Sequence, residues 1–279
     1  MSYEEPSDVK LTMLMEQNKN HFTKSEHKLH RYITERFEDV LYQSLTEISI
    51  ACKLGEATVL RFCRKLGFKG YQDFKFALAQ ELSSIQKTNN DETYTDKIKN
   101  TMTQTIEDTH DLLDTDILQQ AVDKISHANE VIAYGVSSSG IAALDMKNRL
   151  MRIGKNIEVV TDSHNQVIRS VSVTSKTVVI AISLTGSTKD VVDAVKQAKK
   201  NKATVIAITN YVKSPLTKYS DLILLSSAKE NPLDSGSLVS KISQLFVIDL
   251  LCTGIAMTQY EHANQNKELI AGAIASKLY

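Results

Sequence analysis

Cysteine is scarce in this chain. Cys52, Cys63 and Cys252 lie far apart in 279 residues and never in a CxxC spacing. That excludes a disulfide framework, speaks against a structural zinc site and fits a reducing, cytoplasmic setting. Neither a metal nor a cofactor is expected. Charge excess is missing too: 33 Lys and Arg balance 33 Asp and Glu. Overall charge therefore points to no partner, and any nucleic-acid site must come from local clustering. Long apolar runs are lacking. The longest, Leu245–Met257, is interrupted by Asp249 and too short to cross a bilayer, so no membrane partner is expected. No secretory leader is expected, because Glu4, Glu5 and Asp8 stand where such a signal needs positive charge. What is present is the composition of a soluble globular protein, 42% hydrophobic and 24% charged. The length allows two domains, of ~80 and ~160 residues.

The first part reads as helices. Leu11, Leu14 and Met15 open one, and the pattern restarts near Lys24 with Thr23 or Ser25 as cap. It continues through Leu29, Tyr32, Ile33 and Phe37. Ser44-Leu45-Thr46-Glu47 is a capping box, in which the Ser and Glu side chains satisfy orphan backbone donors reciprocally. The short helix it opens turns near Lys53–Gly55 into a second, Glu56–Leu66. Val59, Phe62, Cys63 and Leu66 share one face of that second helix. Thr58, Arg61 and Lys65 lie opposite, with Arg64 on the flank. Two short helices joined in this way form a helix-turn-helix, whose second helix enters the DNA major groove. Between Lys53 and Lys75 six basic residues stand against two acidic ones, Glu56 and Asp73. Spacing alone leaves a plain three-helix bundle with a solvated basic face as the alternative. The segment Ile48–Phe76, with Glu56-Ala57-Thr58-Val59-Leu60-Arg61-Phe62-Cys63-Arg64-Lys65-Leu66-Gly67-Phe68 at its centre, resembles the DNA-binding domain of the RpiR/MurR family of bacterial regulators. Members usually carry Gly where Lys53 stands and Ser where Gly55 stands. The resemblance implies operator contacts by Thr58, Arg61, Arg64, Lys65 and Lys69.

Residues 1–82 are thus expected to form the DNA-binding domain, 83–96 a polar linker and 97–279 the second domain. Helical pattern resumes at Ile98 and, after Asp114, again through Ile125. Short apolar strands are expected at Val131–Gly135, Ile157–Val160, Thr177–Ile182, Thr204–Thr209 and Leu222–Leu225. Helices fill the gaps, with a long one over Gly236–Gln259. Such alternation implies a doubly wound α/β parallel sheet behind the all-α N-terminal domain. In such sheets ligands bind at the carboxyl ends of the strands, where the strand order reverses.

Two turns at such ends are rich in hydroxyls: Ser137-Ser138-Ser139, and Ser183-Leu184-Thr185-Gly186-Ser187-Thr188. If the first and third strands are neighbours, the turns face each other across one crevice. Helix N-terminal N–H groups lack internal partners and suit a phosphate. The plainer alternative is that Ser187 or Thr185 merely caps its helix. These turns, with Asp162-Ser163-His164 and Ser235-Gly236-Ser237-Leu238, resemble the sugar isomerase (SIS) domain, of flavodoxin-like strand order. The resemblance implies a sugar-phosphate effector held at Ser137, Ser138, Ser183, Thr185, Gly186, Ser187 and Thr188. Many members have Gly in place of Ser137, which leaves open whether that residue donates through backbone or side chain.

Three uses are open to such a chain. An isomerase would need a base, for which Glu230, His164 and His262 are available, whereas His127 and His262 fall on helix surfaces. A dimerising scaffold would leave the hydroxyl turns empty. A regulator that binds operator DNA as a homo-oligomer, and senses a phosphorylated sugar without turning it over, accounts for both domains.

Overall fold

The computed structural model describes residues 10–86, 93–227 and 238–275. Two compact units divide between Lys97 and Ile98. The first holds α1 (Leu11–Asn18), α2 (Lys24–Glu35), α3 (Phe37–Leu41), α4 (Leu45–Ala51), α5 (Glu56–Lys65) and α6 (Tyr71–Gln86). Capping boxes start α2 and α4. Thr23 Oγ1 accepts from Glu26 N while Glu26 takes the Thr23 N–H, and Ser44 and Glu47 exchange the same pair of bonds. The apolar pattern from Lys24 to Phe37 is broken at Arg36, whose φ of −133° and ψ of 43° separate α2 from α3. Leu29, Ile33, Val40, Ile48, Val59, Phe62, Phe74 and Leu78 form the core. Phe22, Phe62, Phe68 and Phe74 stack edge-on or tilted through it.

Helix α6 reaches Gln86 and α7 (Tyr94–Leu112) begins at Tyr94, so the expected linker is helical at both ends. Polar composition alone does not stop a helix. Residues 87–92 lie outside the described residues.

In the second unit α8 (Thr115–His127) leads into β1 (Glu130–Tyr134). Then follow α9 (Ser137–Arg152), β2 (Glu158–Val160), α10 (Ser163–Val171), β3 (Thr177–Ile182) and α11 (Lys189–Lys200). After β4 (Thr204–Thr209) and β5 (Leu222–Leu225) come α12 (Leu238–Thr258) and α13 (Tyr260–Ala275). Five parallel strands lie in the order β2-β1-β3-β4-β5. Strand residues alternate between two apolar layers because successive side chains point to opposite faces. Val131, Ala133, Val178, Ile180, Ile182, Ile206 and Ile208 meet α8, α9 and α12. Ile132, Tyr134, Val179, Ala181, Val205 and Ala207 meet the α11 side chains Val191, Ala194, Val195 and Ala198. Burial on both faces is why these strands read as unbroken apolar runs.

By length and composition α12 could cross a membrane. It instead packs on α8 and α9 and buries Val247, Ile248, Leu251 and Ile255 in the sheet core. Burial pushes the thiols of Cys63 and Cys252 up to about 12, so both remain protonated at neutral pH.

Candidate functional site

Strand order reverses between β1 and β3, which are paired neighbours with Tyr134 opposite Ala181. Neighbouring strands lie about 4.8 Å apart, so the turns that follow them stand side by side at the carboxyl edge, where open α/β sheets form their ligand crevice. Both turns open helices without a side-chain cap. Val136 precedes α9 and Thr188 precedes α11, and neither side chain accepts a helix N–H. By contrast α8 and α10 start on aspartate caps, Asp114 and Asp162. The first N–H groups of α9 and α11 therefore lack side-chain acceptors, and the hydroxyls beside them are not used up on capping.

The second turn is held by its own hydroxyls and by β4. Ser183 Oγ and Thr188 Oγ1 lie 3.0 Å apart, and Thr185 Oγ1 accepts from Ser187 N at 3.2 Å. Thr209 Oγ1 and Asn210 N both donate to the Leu184 carbonyl, at 3.1 and 3.0 Å. Gly186 has φ of +58°, and a Cβ there would stand 2.2 Å from Ser214 Oγ. Only glycine fits that contact. Ser183 is buried, whereas Thr185, Ser187 and Thr188 are half-buried.

In the first turn Ser137 is exposed with φ of 52°, a left-handed conformation that favours glycine. This is the physical reason a glycine suits the position. Ser138 is half-buried beside it. Ser139 accepts a 3.0 Å hydrogen bond from Gln244 Nε2 on α12. Gln166 Nε2 on α10 donates to the Gly135 carbonyl at 3.1 Å and the Val160 carbonyl at 2.8 Å. None of Thr209, Ser214, Gln166 and Gln244 stands out in sequence, because each reaches the turns only through the folded sheet.

Among the described residues neither turn carries a Lys or Arg apart from Lys189. Lys189 is exposed and pairs with Asp193 at 2.6 Å. His164, His127 and His262 are exposed on α10, α8 and α13. Glu230 and Ser235-Gly236-Ser237 lie outside the described residues. A cleft of about 340 Å³ between α9, α12 and α13 lies elsewhere. Arg149, which lines it, is already bound to Asp145 and Asp249.

In the first unit α4, a turn and α5 form the helix-turn-helix. Lys53 takes the left-handed turn position with φ of 54°, and Leu54 N donates to the Ser49 carbonyl at 2.8 Å. Thr46 Oγ1 donates to Glu56 Oε1 at 2.7 Å, locking one helix to the start of the next. Val59, Phe62 and Cys63 are buried, while Arg61, Arg64 and Lys69 project into solvent. Arg61 Nη2 donates to Thr58 Oγ1 at 3.2 Å.

Lys65, also exposed, makes bonds within its own unit. Its Nζ donates to the His21 carbonyl at 2.6 Å, pairs with Glu26 at 2.8 Å and sits over the Phe22 ring. The Phe22–Glu26 corner attracts it back onto the unit itself. Burial alone would raise the Glu26 pKa, but hydrogen bonds from Lys65 and from the Thr23 amide and hydroxyl hold it below its ordinary value.

A helix-turn-helix unit followed by a parallel α/β unit is the architecture of a two-domain DNA-binding protein. Residues 9–85 match the helix-turn-helix domain of the rpiR family, and residues 124–254 match the SIS domain. An uncharacterised HTH-type transcriptional regulator of Clostridium perfringens is 38% identical over 262 residues, 90% of this chain and 94% of its own. The HTH-type regulator HexR of Escherichia coli is 29% identical over 91% of this chain and 90% of its own. The Vibrio vulnificus NanR protein, solved in complex with ManNAc-6P, superposes with a TM-score of 0.87. It shares 29% identity, and the match covers 96% of this chain and all of that one. The chain belongs to the rpiR family of HTH-type transcriptional regulators, with a SIS domain behind its DNA-binding domain.

Proposed function

We propose that this regulator binds operator DNA through α4 and α5, and that a phosphorylated sugar in the β1/β3 crevice modulates that binding without being converted. The observation that carries the reading is the pair of uncapped helix starts, α9 and α11, flanked by Ser137, Ser138, Ser183, Thr185, Ser187 and Thr188. A phosphomonoester brings close to two negative charges to two turns that, among the described residues, hold no cation apart from Lys189, so helix N–H groups and hydroxyls carry most of its binding. The NanR relative bound to ManNAc-6P supports a phosphosugar as the ligand class. Against catalysis, His164, His127 and His262 are exposed, and among the described residues none bonds to either turn. On this reading Arg61, Arg64, Lys69 and Thr58 face DNA, and the protein acts in the cytoplasm.

The test pairs ligand binding with DNA binding. A sugar-phosphate panel that includes ManNAc-6P is screened by thermal shift, where a ligand at ~100 times its Kd adds about 2.7 kcal/mol. Hydrogen bonds to a charged group contribute about 1.5–3 kcal/mol each. Ser183→Ala/Thr188→Val is therefore expected to weaken the active ligand by one to a few orders of magnitude, with folding intact. Because effector and operator affinities share one coupling free energy, the variant should still shift operator DNA but no longer respond to ligand. A response equal to wild type would place the phosphate elsewhere. A panel without a single hit would favour a dimerising scaffold, and turnover of a hit would favour an isomerase.

A further inference from the structure

A further helix, α12, starts at the carboxyl edge of the sheet and is tied to α9. Gln244, fully buried on α12, donates to Ser139 Oγ in the first turn of α9. Just beyond the carboxyl end of α12, Gln259 donates to the Ser126 carbonyl at 3.0 Å, ahead of β1. Helix α12 thus runs from the carboxyl edge towards the amino edge, and its opening turns border the crevice. Three unused hydrogen-bonding atoms gather there. Gln244 Oε1 and, one turn earlier, Ser240 Oγ are buried without a partner among the described residues. The third is the Ser139 proton. A hydroxyl has one proton and two lone pairs, so an incoming N–H on Oγ leaves that proton to be donated elsewhere. Among the described residues no acceptor takes it. Buried polar atoms without partners are rare in native proteins, and an apolar residue of similar size at 244 would have avoided one.

We propose that Gln244 is a positioning residue for the effector: it fixes Ser139 as a hydroxyl donor towards the anion at the start of α9, and so ties α12 to crevice occupancy. This rests on the phosphosugar reading. An amide on the lone pair also polarises the O–H and strengthens the bond it donates. Gly135 keeps the arrangement tight, since a Cβ there would stand 2.7 Å from the Ser139 carbonyl oxygen. Gln166 braces the same turn from the opposite layer through the Gly135 carbonyl.

The direction of the hydrogen bond makes the proposal testable. Gln244→Leu frees the Ser139 hydroxyl to rotate and should weaken the effector several-fold. Gln244→Glu reverses the bond, because a carboxylate accepts the Ser139 proton and leaves a lone pair facing the anion. It should cost more than Leu, roughly tenfold or above. Calorimetry on the full chain would use inorganic phosphate and a panel of hexose and N-acetylhexosamine 6-phosphates, with a thermal melt of each variant. The expected order is wild type, then Leu, then Glu. Once Ser139→Ala is present, Gln244→Leu should add no further loss. A purely structural role would lower the melting point and leave ligand affinity alone. Equal affinities in the Gln244 variants, or additive losses in the double variant, overturn the proposal. If Gln244→Glu does not fold, the Ser139→Ala and Gln244→Leu cycle decides alone. If wild type binds and Ser183→Ala/Thr188→Val does not, while Gln244 variants bind as wild type, this proposal fails and the phosphosugar reading stands. If wild type binds none of the probes, the phosphosugar reading fails and takes this proposal with it.

Discussion

Arg61 and Lys65 are four positions apart on α5, one turn of helix, yet they do different work. Arg61 projects into solvent and donates to Thr58, whereas Lys65 joins Glu26, the His21 carbonyl and the Phe22 ring. Arg61→Ala is expected to leave stability within about 0.5 kcal/mol of wild type. In gel shifts on operator and random DNA it should relax sequence preference, at a cost of roughly 1–3 kcal/mol on operator. Lys65→Ala should instead destabilise the N-terminal unit by about 1 kcal/mol, a partly exposed pair being weak. The pH dependence has a definite sign. Glu26 is held below its ordinary value, so its contribution is present above 4.5 and lost as pH falls through the lowered value. Acid titration of Lys65→Ala, followed by circular dichroism, should show a shallower loss of stability over that window. Gly186 is the other residue with a sharp expectation. Gly186→Ala meets Ser214 Oγ and keeps a positive φ, and overpacking of this kind costs about 1–3 kcal/mol. The variant should melt lower and lose ligand-induced thermal shift.

At the scale of elements, helix starts divide into capped and uncapped. Helices α2, α4, α8 and α10 begin on side-chain caps, and α1, α3, α5, α9 and α11 do not. Removing a cap from the first group is a stability change. Ser44→Ala is expected to cost about 1 kcal/mol in thermal or urea unfolding. It should also weaken all DNA sequences alike, because α4 supports α5 through the Thr46–Glu56 bond. A variant that discriminated between operator and random DNA differently from wild type would show that Ser44 itself touches a base.

For the whole molecule, one recognition helix reads few base pairs, and specific binding normally takes two half-sites about one helical turn apart. A second copy of the chain is the expected partner. The sheet unit offers apolar surface for it, since Ile141, Leu144 and Met151 on α9 are about half exposed, and so are Ile98 and Leu112 on α7. Sedimentation of the full chain should give a dimer or tetramer at micromolar concentration. A monomer that still binds a palindromic operator with unit stoichiometry per half-site would contradict this.

Sequence by itself determined the local pieces. The spans of β3, β4 and β5, the Ser44 capping box, the Lys53 turn and the buried face of α5 are all legible because short-range sterics and apolar periodicity decide them. The hydroxyl turns are legible for the same reason, as polar clusters that end apolar strands. Tertiary structure decided what those pieces face. The break at Arg36 is invisible in a continuous apolar pattern. The bonding of Lys65 depends on Glu26 and Phe22, far away along the chain. Ser214 against Gly186 and Gln244 against Ser139 likewise join residues that only the folded sheet brings together. A helical period says which face a side chain lies on, but a hydrogen bond needs a partner within about 3 Å, and that partner is chosen by packing.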